Sequence, residues 1–409
     1  MRLSVKNILL NVDWVFVVLV SLLIITGTIA VYSATHTAGI ATNVYFGKQI
    51  LFAIAGMIIM LGVAFIPQAF IKRFAWLAYA LSLLLLVMVS VMGNSGYGAE
   101  RWLSFAGINI QPSELAKIAT ILAVARYVSL PRVRMDNAKH LLIVITIISV
   151  PLILIIQQPD LGTALVFIAI IVPILFWAGL NWFYILILMA PAITAVASFH
   201  KLALFMWIAL LLLILFFARR TFWTSLGVLI LHGFVGFITP FLWSQLKPYQ
   251  QQRILTFLSP EADPYGAGYQ IIQSKVAIGS GGLWGKGFLD GTQSQLKFLP
   301  AQHTDFIFSV IGEEWGFFGI LAVLAVFLIL LIYMVNLATL VRSAFASISI
   351  IGFGTILMFH IFVNVGMTVG LVPVTGLPLP FISYGGSFLL VTMLMMGLTL
   401  NFSINRYER

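Results

Sequence analysis

Residues 14–30 read WVFVVLVSLLIITGTIA, a run without a charge in which Ser, Thr and Gly alone interrupt the apolar side chains. It exceeds the roughly 7–15 apolar residues of a cleaved signal peptide, and Arg2 and Lys6 precede it, so it reads as an uncleaved first membrane span. Similar stretches recur near 47–66, 73–92, 112–130, 140–157, 161–179, 182–199, 202–218, 222–243, 304–335, 344–370 and 381–403. Composition agrees: of 409 residues, 61% are hydrophobic and 8% charged, where soluble domains carry about 25% charged residues. Roughly 249 apolar residues at about 20 per span allow about twelve spans. The expectation is an all-α polytopic membrane protein of about 10–12 transmembrane helices, forming a single domain over 1–409.

Charge placement orients the spans. Lys72/Arg73, Arg132/Arg134/Lys139, Arg219/Arg220, Arg342 and Arg406/Arg409 fall on one side when the helices are threaded alternately, so both termini are expected in the cytoplasm. The net charge of +10 is scattered through short loops instead of forming a stripe, which argues against nucleic acid as a partner. Cysteine is absent, excluding disulfides, thiolate metal ligands and cysteine nucleophiles. Of twelve acidic residues, only Asp13, Asp136 and Glu408 fall at the cytoplasmic face, so any chemistry belongs outside.

Two outward stretches break the apolar pattern, 93–111 and the large extracytoplasmic loop 244–303. In the second, Ile254, Leu255, Phe257 and Leu258, then Ile271, Ile272 and Val276, suit short amphipathic helices in the membrane interface. GGLWGK at 281–286 lacks the first Gly and the Ser/Thr of a phosphate loop, so no nucleotide is expected, and its glycines read as flexible backbone near a lipid headgroup. Asp263, between Pro260 and Pro264, is either a turn residue or a side chain aimed by restricted backbone. Arg253, Lys275 and Lys286 flank it and could bind phosphates. Glu114 and Lys117, three apart at a helix start, pair on one face, either as a structural ion pair or in a site with Arg101 and Trp102. Asp160 reads as a helix cap. His360 and Asn364 share a face and suggest an interhelical hydrogen bond, whereas Glu313 and Glu314 point about 100° apart and cannot serve one site.

QPSELAK at 111–117, QPDLGTAL at 158–165, the stretch 260–308 from PEADPYG to QHTDFIF, and Asn364 through GLVPVTGLPLPFISYGGS ending at Ser387 together resemble the SEDS family of RodA, FtsW and SpoVE proteins. GTQSQ and FLPAQHTDFIF are similar to its RodA branch. The resemblance implies a peptidoglycan glycosyltransferase that polymerises lipid II at the outer face of the bacterial cytoplasmic (inner) membrane during elongation and shape maintenance. The implied partners are a class B penicillin-binding protein acting as transpeptidase and other elongation-complex membrane proteins. It places the family's essential aspartate on Asp263 as general base, and its cavity Glu and Lys on Glu114 and Lys117. Trp102, Asp160, Arg253 and His303 match further motif positions, giving with Arg101 and Lys275 the expected substrate-binding set. A divalent cation, Mg or Mn, held by Glu114 could share the diphosphate. Two other classes stand beside the enzyme: a lipid II flippase, and a non-catalytic scaffold for the penicillin-binding protein. The chain departs from the family pattern by added sequence at 199–225, expected as an extra helical segment, by Ala301 at a commonly acidic position, and by Phe388 where a small residue is usual.

Overall fold

The computed structural model describes residues 12–36, 43–92, 94–96, 99–105, 108–218, 222–246, 251–252, 255–256, 268–296 and 298–407. Among these, every stretch read as a span coincides with a helix: α1 (Trp14–Thr35), α2 (Asn43–Ala64), α3 (Gln68–Met92), α4 (Pro112–Val128), α5 (Ala138–Gln157), α6 (Leu161–Trp177), α7 (Trp182–Ala197), α8 (Lys201–Phe217), α9 (Phe222–Gln245), α12 (Ile307–Leu340), α13 (Ala344–Val369) and α14 (Gly386–Ile404). Two shorter helices, α10 (Tyr269–Gly281) and α11 (Thr292–Gln295), lie between α9 and α12. Eight helices, α1, α2, α3, α5, α9, α12, α13 and α14, are long and apolar enough to cross a membrane, and α6, α7 and α8 are shorter apolar helices. The protein is a polytopic α-helical membrane protein.

Helix starts follow local chemistry. Asp13, Asn137, Asp160 and Asn181 each accept a hydrogen bond from a first-turn N–H, and Pro112 opens α4. The 93–111 stretch, expected as a loop, carries a three-stranded antiparallel sheet, β1 (Asn94–Gly96), β2 (Ala99–Phe105) and β3 (Ile108–Ile110). Leu103 pairs with Ile110 and Phe105 with Ile108 across β2 and β3.

One continuous core joins α1–α6 and α12–α14. Helix α4 lies deepest, with buried residues on every side from Ala116 to Ala125. The segment expected as an addition, 199–225, holds α8 and the start of α9; with α7 these helices close over their own small core of Phe183, Leu215 and Val228. Thr194 on α7 bonds Trp207 Nε1 at 2.8 Å and His232 Nδ1 at 2.5 Å, tying the three helices together.

Helix α10 packs one face against the bundle and exposes Lys275 and Val276 on the other. Its Ile271, Ser274 and Ala277 are buried, and Ser274 Oγ lies 2.6 Å from both Ser309 Oγ on α12 and Thr368 O on α13. The helix expected around Ile254–Leu258 lies largely outside the described residues, of which 255 and 256 are helical.

The two ends of the bundle differ. The sheet, the start of α4, α10, α11 and residues 371–385 gather at one end, where Gln302 Nε2 donates to Ala34 O at the end of α1. At the other end Asp13 accepts from Tyr333 and Ser403, and Arg342 N donates to Arg406 O at 3.0 Å.

Candidate active site

Between α13 and α14 the chain runs without regular structure through LVPVTGLPLPFISYG, residues 371–385, yet Leu377, Leu379, Phe381, Ile382 and Ser383 are buried. Buried backbone of this kind needs polar partners from the protein. Pro373, Pro378 and Pro380 reduce the number of N–H groups to satisfy, and side chains from the neighbouring helices take the carbonyls. Asn364 Nδ2 donates to Leu377 O at 2.8 Å and to Asp305 O at 3.0 Å; His360 Nδ1 lies 3.1 Å from Pro378 O. The four-residue spacing of His360 and Asn364 therefore serves this strap, and neither residue merely joins two helices.

His360 also reaches Lys117. Lys117 Nζ stands 3.1 Å from His360 Nε2 and 2.9 and 2.8 Å from the two carboxylate oxygens of Glu114. An ammonium has only protons to give, so Nε2 must accept, which puts the imidazole proton on Nδ1 and aims it at Pro378 O. A chain of polar contacts thus runs Glu114–Lys117–His360–Pro378, from α4 through α13 to the strap. Lys117 is 1% exposed and Glu114 4%, a burial that only pairing makes tolerable. Phe388, the departure from the family pattern, stacks on His360 at 5.0 Å and lies 5.8 Å beneath the Lys117 ammonium, closing the site on its α14 side.

The strap connects the other candidates as well. Its Thr375 carbonyl lies against Gly162, the second residue of α6, 3.0 Å from where a Cβ would stand. Asp160, the α6 cap, accepts from Thr163 N at 3.2 Å, Thr163 Oγ1 at 2.9 Å and Gln111 Nε2 at 2.9 Å, fastening α6 to the start of α4. Farther along, Ser383 Oγ donates to Thr304 O at 2.6 Å and Tyr384 N to His303 O at 2.8 Å. The His303 ring sits between Tyr45 at 5.0 Å and Tyr384 at 5.7 Å, and burial lowers its pKa below the usual 6.5. Lys275 is exposed on α10, its Nζ 2.6 Å from where a Cβ on Gly370, the left-handed C-cap of α13, would stand.

Trp102 lies on β2, 37% exposed, beside the start of α4. Arg101 occupies β2 too, with its side chain outside the described residues, and Asp263 and Arg253 also lie outside them.

Two sequence readings change. Two of the three glycines of GGLWGK are packed against backbone, not left flexible: a Cβ on Gly281 would meet Gly312 O, and one on Gly285 would meet Glu314 O, while Gly282 faces open space. Hydrogen bonds from Lys286 N to Glu313 O, Gly287 N to Glu314 O and Phe317 N to Gly282 O dock this loop into a break in α12, where Gly316 adopts φ 66°. Lys286, a candidate for phosphate, has its Nζ engaged by Glu313 at 2.8 Å and Thr292 Oγ1 at 2.7 Å, and Glu313 also accepts from Gln293 N and Ser294 N, capping α11. Glu314 bonds Ser33 on α1, so the two glutamates serve separate contacts, as their spacing requires.

Among the described residues no three His, Asp or Glu side chains gather to hold a metal ion. Both oxygens of Glu114 face Lys117, so Glu114 does not fit a divalent cation. The role of the strap, of His360 in holding Lys117, and of Phe388 as a lid were not read from sequence. A His in an otherwise apolar helix, and a Lys in another, was the signal that each needed the other.

The FtsW/RodA/SpoVE cell cycle protein family model matches residues 13–208 and 203–408. The peptidoglycan glycosyltransferase MrdB of Escherichia coli K12 is 38% identical over 352 residues, 86% of this chain and 83% of its own. The peptidoglycan glycosyltransferase RodA of Treponema pallidum is 33% identical, covering 95% and 97% of the two chains. Among solved structures, a chain from a study of how a peptidoglycan synthase complex coordinates polymerization and crosslinking superposes with TM-score 0.74 at 28% identity, over 97% of this chain and 99% of that one. The rod shape determining protein RodA of Thermus thermophilus gives TM-score 0.64 at 26% identity, over 97% and 98%.

Proposed function

The chain belongs to the FtsW/RodA/SpoVE family and is a multi-pass membrane peptidoglycan glycosyltransferase, and from that premise we propose that it polymerises lipid II at the outer face of the bacterial cytoplasmic membrane, with Asp263 as general base. The 4-hydroxyl oxygen of one lipid-linked disaccharide attacks the anomeric carbon of another. Its proton passes to the Asp263 carboxylate, the new glycosidic bond forms with inversion, and the bond to the polyprenyl diphosphate breaks. The departing charge calls for fixed cations. Lys275 is exposed at this end of the bundle and, with Arg101 and Arg253, is assigned to the diphosphate. Lys117 has its donors committed to Glu114 and His360, so its part is to hold the strap that carries Tyr384 against His303. Asp160 likewise positions α6 against α4, and Trp102 and His303 offer rings to the saccharide.

The observation that carries this reading is the strap, which ties residues of all four family motifs to one end of the bundle. The class B penicillin-binding protein is assigned as the transpeptidase partner, in company with other elongation proteins; the solved relative comes from a complex that couples polymerization to crosslinking. A flippase needs a polar path open alternately to both faces, whereas below Lys117 the α4 residues Ile121 through Ala125 are buried and apolar.

The test uses purified protein with its partner's transpeptidase blocked, supplied with lipid II and resolved on a gel. Glycan strands are expected. Labelled lipid II crossing a vesicle bilayer with no strands formed would make the protein a transporter. Intact partner binding with neither strand formation nor transport would make it a scaffold.

A further inference from the structure

A second polar site lies at the opposite end of the bundle, far from the strap. A recess of about 370 Å³ opens there between the starts of α3 and α13 and the end of α4, lined by Gln68, Lys72, Arg73, Trp76, Arg126 and Ser343. Three cations meet in it, and among the described residues no carboxylate lies within ion-pair distance of any of them; the ion pairs found elsewhere join Lys117, Arg134 and Lys286 to other acids. Arg73 is engaged only by the face of Phe74, 6.0 Å away. The neighbouring cation, Arg342, is turned aside onto Tyr407.

Two further features of the recess suit an anion. Ser343 is the N-cap of α13 and 7% exposed, yet its hydroxyl makes no capping hydrogen bond and lines the recess. That hydroxyl opens into the recess, where it is placed to donate to an incoming oxygen. The starts of α3 and α13 also converge here, bringing the positive ends of two helix dipoles to the same point. Gln68, 5% exposed in the first turn of α3, adds an amide to the lining.

The surroundings identify the anion. Helix α3 is a membrane-crossing helix, and next to the recess it exposes Phe70, Phe74, Trp76 and Leu77. An aromatic belt beside a basic pocket on the side that the positive-inside rule makes cytoplasmic is where a phospholipid presents its phosphate. We propose that Lys72, Arg73, Arg126 and Ser343 form a seat for the headgroup of an anionic phospholipid of the cytoplasmic leaflet, its acyl chains lying along the exposed aromatic face of α3.

Native mass spectrometry of the full-length protein in detergent tests this, with dioleoyl-phosphatidylglycerol, dioleoyl-phosphatidylcholine and inorganic phosphate as probes. One phosphatidylglycerol is expected to bind at least about tenfold more tightly than phosphatidylcholine, and Lys72→Gln and Arg126→Gln each to weaken it about fivefold. Ser343→Asp separates binding from folding. Aspartate is a better N-cap than an unbonded serine, so the unfolding temperature should hold or rise while the phosphatidylglycerol preference is lost. Equal affinity for the two lipids, or a preference that survives Ser343→Asp, overturns the proposal. Displacement of phosphatidylglycerol by millimolar inorganic phosphate also overturns it, since the seat would then belong to a soluble anion.

Discussion

Apart from the exposed Arg134–Asp136 contact at the far end, the two ends of this bundle handle charge in opposite ways. At the strap end, Lys117 and Lys286 are each within 2.9 Å of a carboxylate, and both acids are buried. At the far end Lys72, Arg73, Arg126, Arg342 and Arg406 meet no carboxylate among the described residues, and Arg342 and Arg406 rest on the Tyr407 ring instead. Matched charge fixes geometry: Glu114 and Lys117 hold His360, and His360 holds the strap. Unmatched charge is left for what lies outside the chain, the cytoplasmic leaflet and its headgroups.

The sharpest way to break this contrast is Lys117→Met. It strands the Glu114 carboxylate in a buried site and should cost about 3–5 kcal/mol, read as a fall in unfolding temperature in detergent, with Glu114→Gln added to Lys117→Met recovering part of the loss. A fall no larger than for a surface lysine would mean that the pair does not organise the strap. Gly285→Ala comes next: the new methyl meets Glu314 O, and φ of 82° disfavours any side chain, so about 1–3 kcal/mol should go through displacement of the loop from α12. A stability equal to the parent's would show that the loop does not dock there.

His303 gives a smaller, pH-dependent effect. Its folded pKa lies below the usual 6.5, so the unfolded chain takes up a proton first as pH falls. The stability linked to its neutral form is complete above about pH 6.5 and lost below it, down to the lowered folded value. His303→Phe should flatten that part of a melting-temperature profile; an unchanged slope would assign the acid sensitivity elsewhere. At the bottom of the scale, Arg134 and Asp136 stand 3.8 Å apart with side chains 83% and 68% exposed, and Arg134→Ala should leave the melting temperature where it was.

The spans were legible because membrane insertion acts on composition: a window of apolar residues near twenty long is sufficient signal, and each such window became a helix. The small sheet was not, since β1 and β3 have three residues each and Gly93, Gly96, Gly98 and Gly107 mask any alternation. The break in α12 was hidden because Gly316 lies within an apolar run, and its meaning depends on a loop some thirty residues earlier, at Gly282–Gly287. For the candidate site, the Glu114–Lys117 pair follows from helical spacing. Its link to His360 spans 243 positions, a distance over which a single sequence carries no geometric information.

Position 263 carries the proposed proton transfer. The most direct measurement is the rate of glycan strand formation from lipid II by Asp263→Asn, with the partner present and its transpeptidase blocked. A loss of about 10²–10⁴-fold is expected, with unfolding temperature and partner binding unchanged. Strands made at a rate within a few-fold of the parent would contradict it.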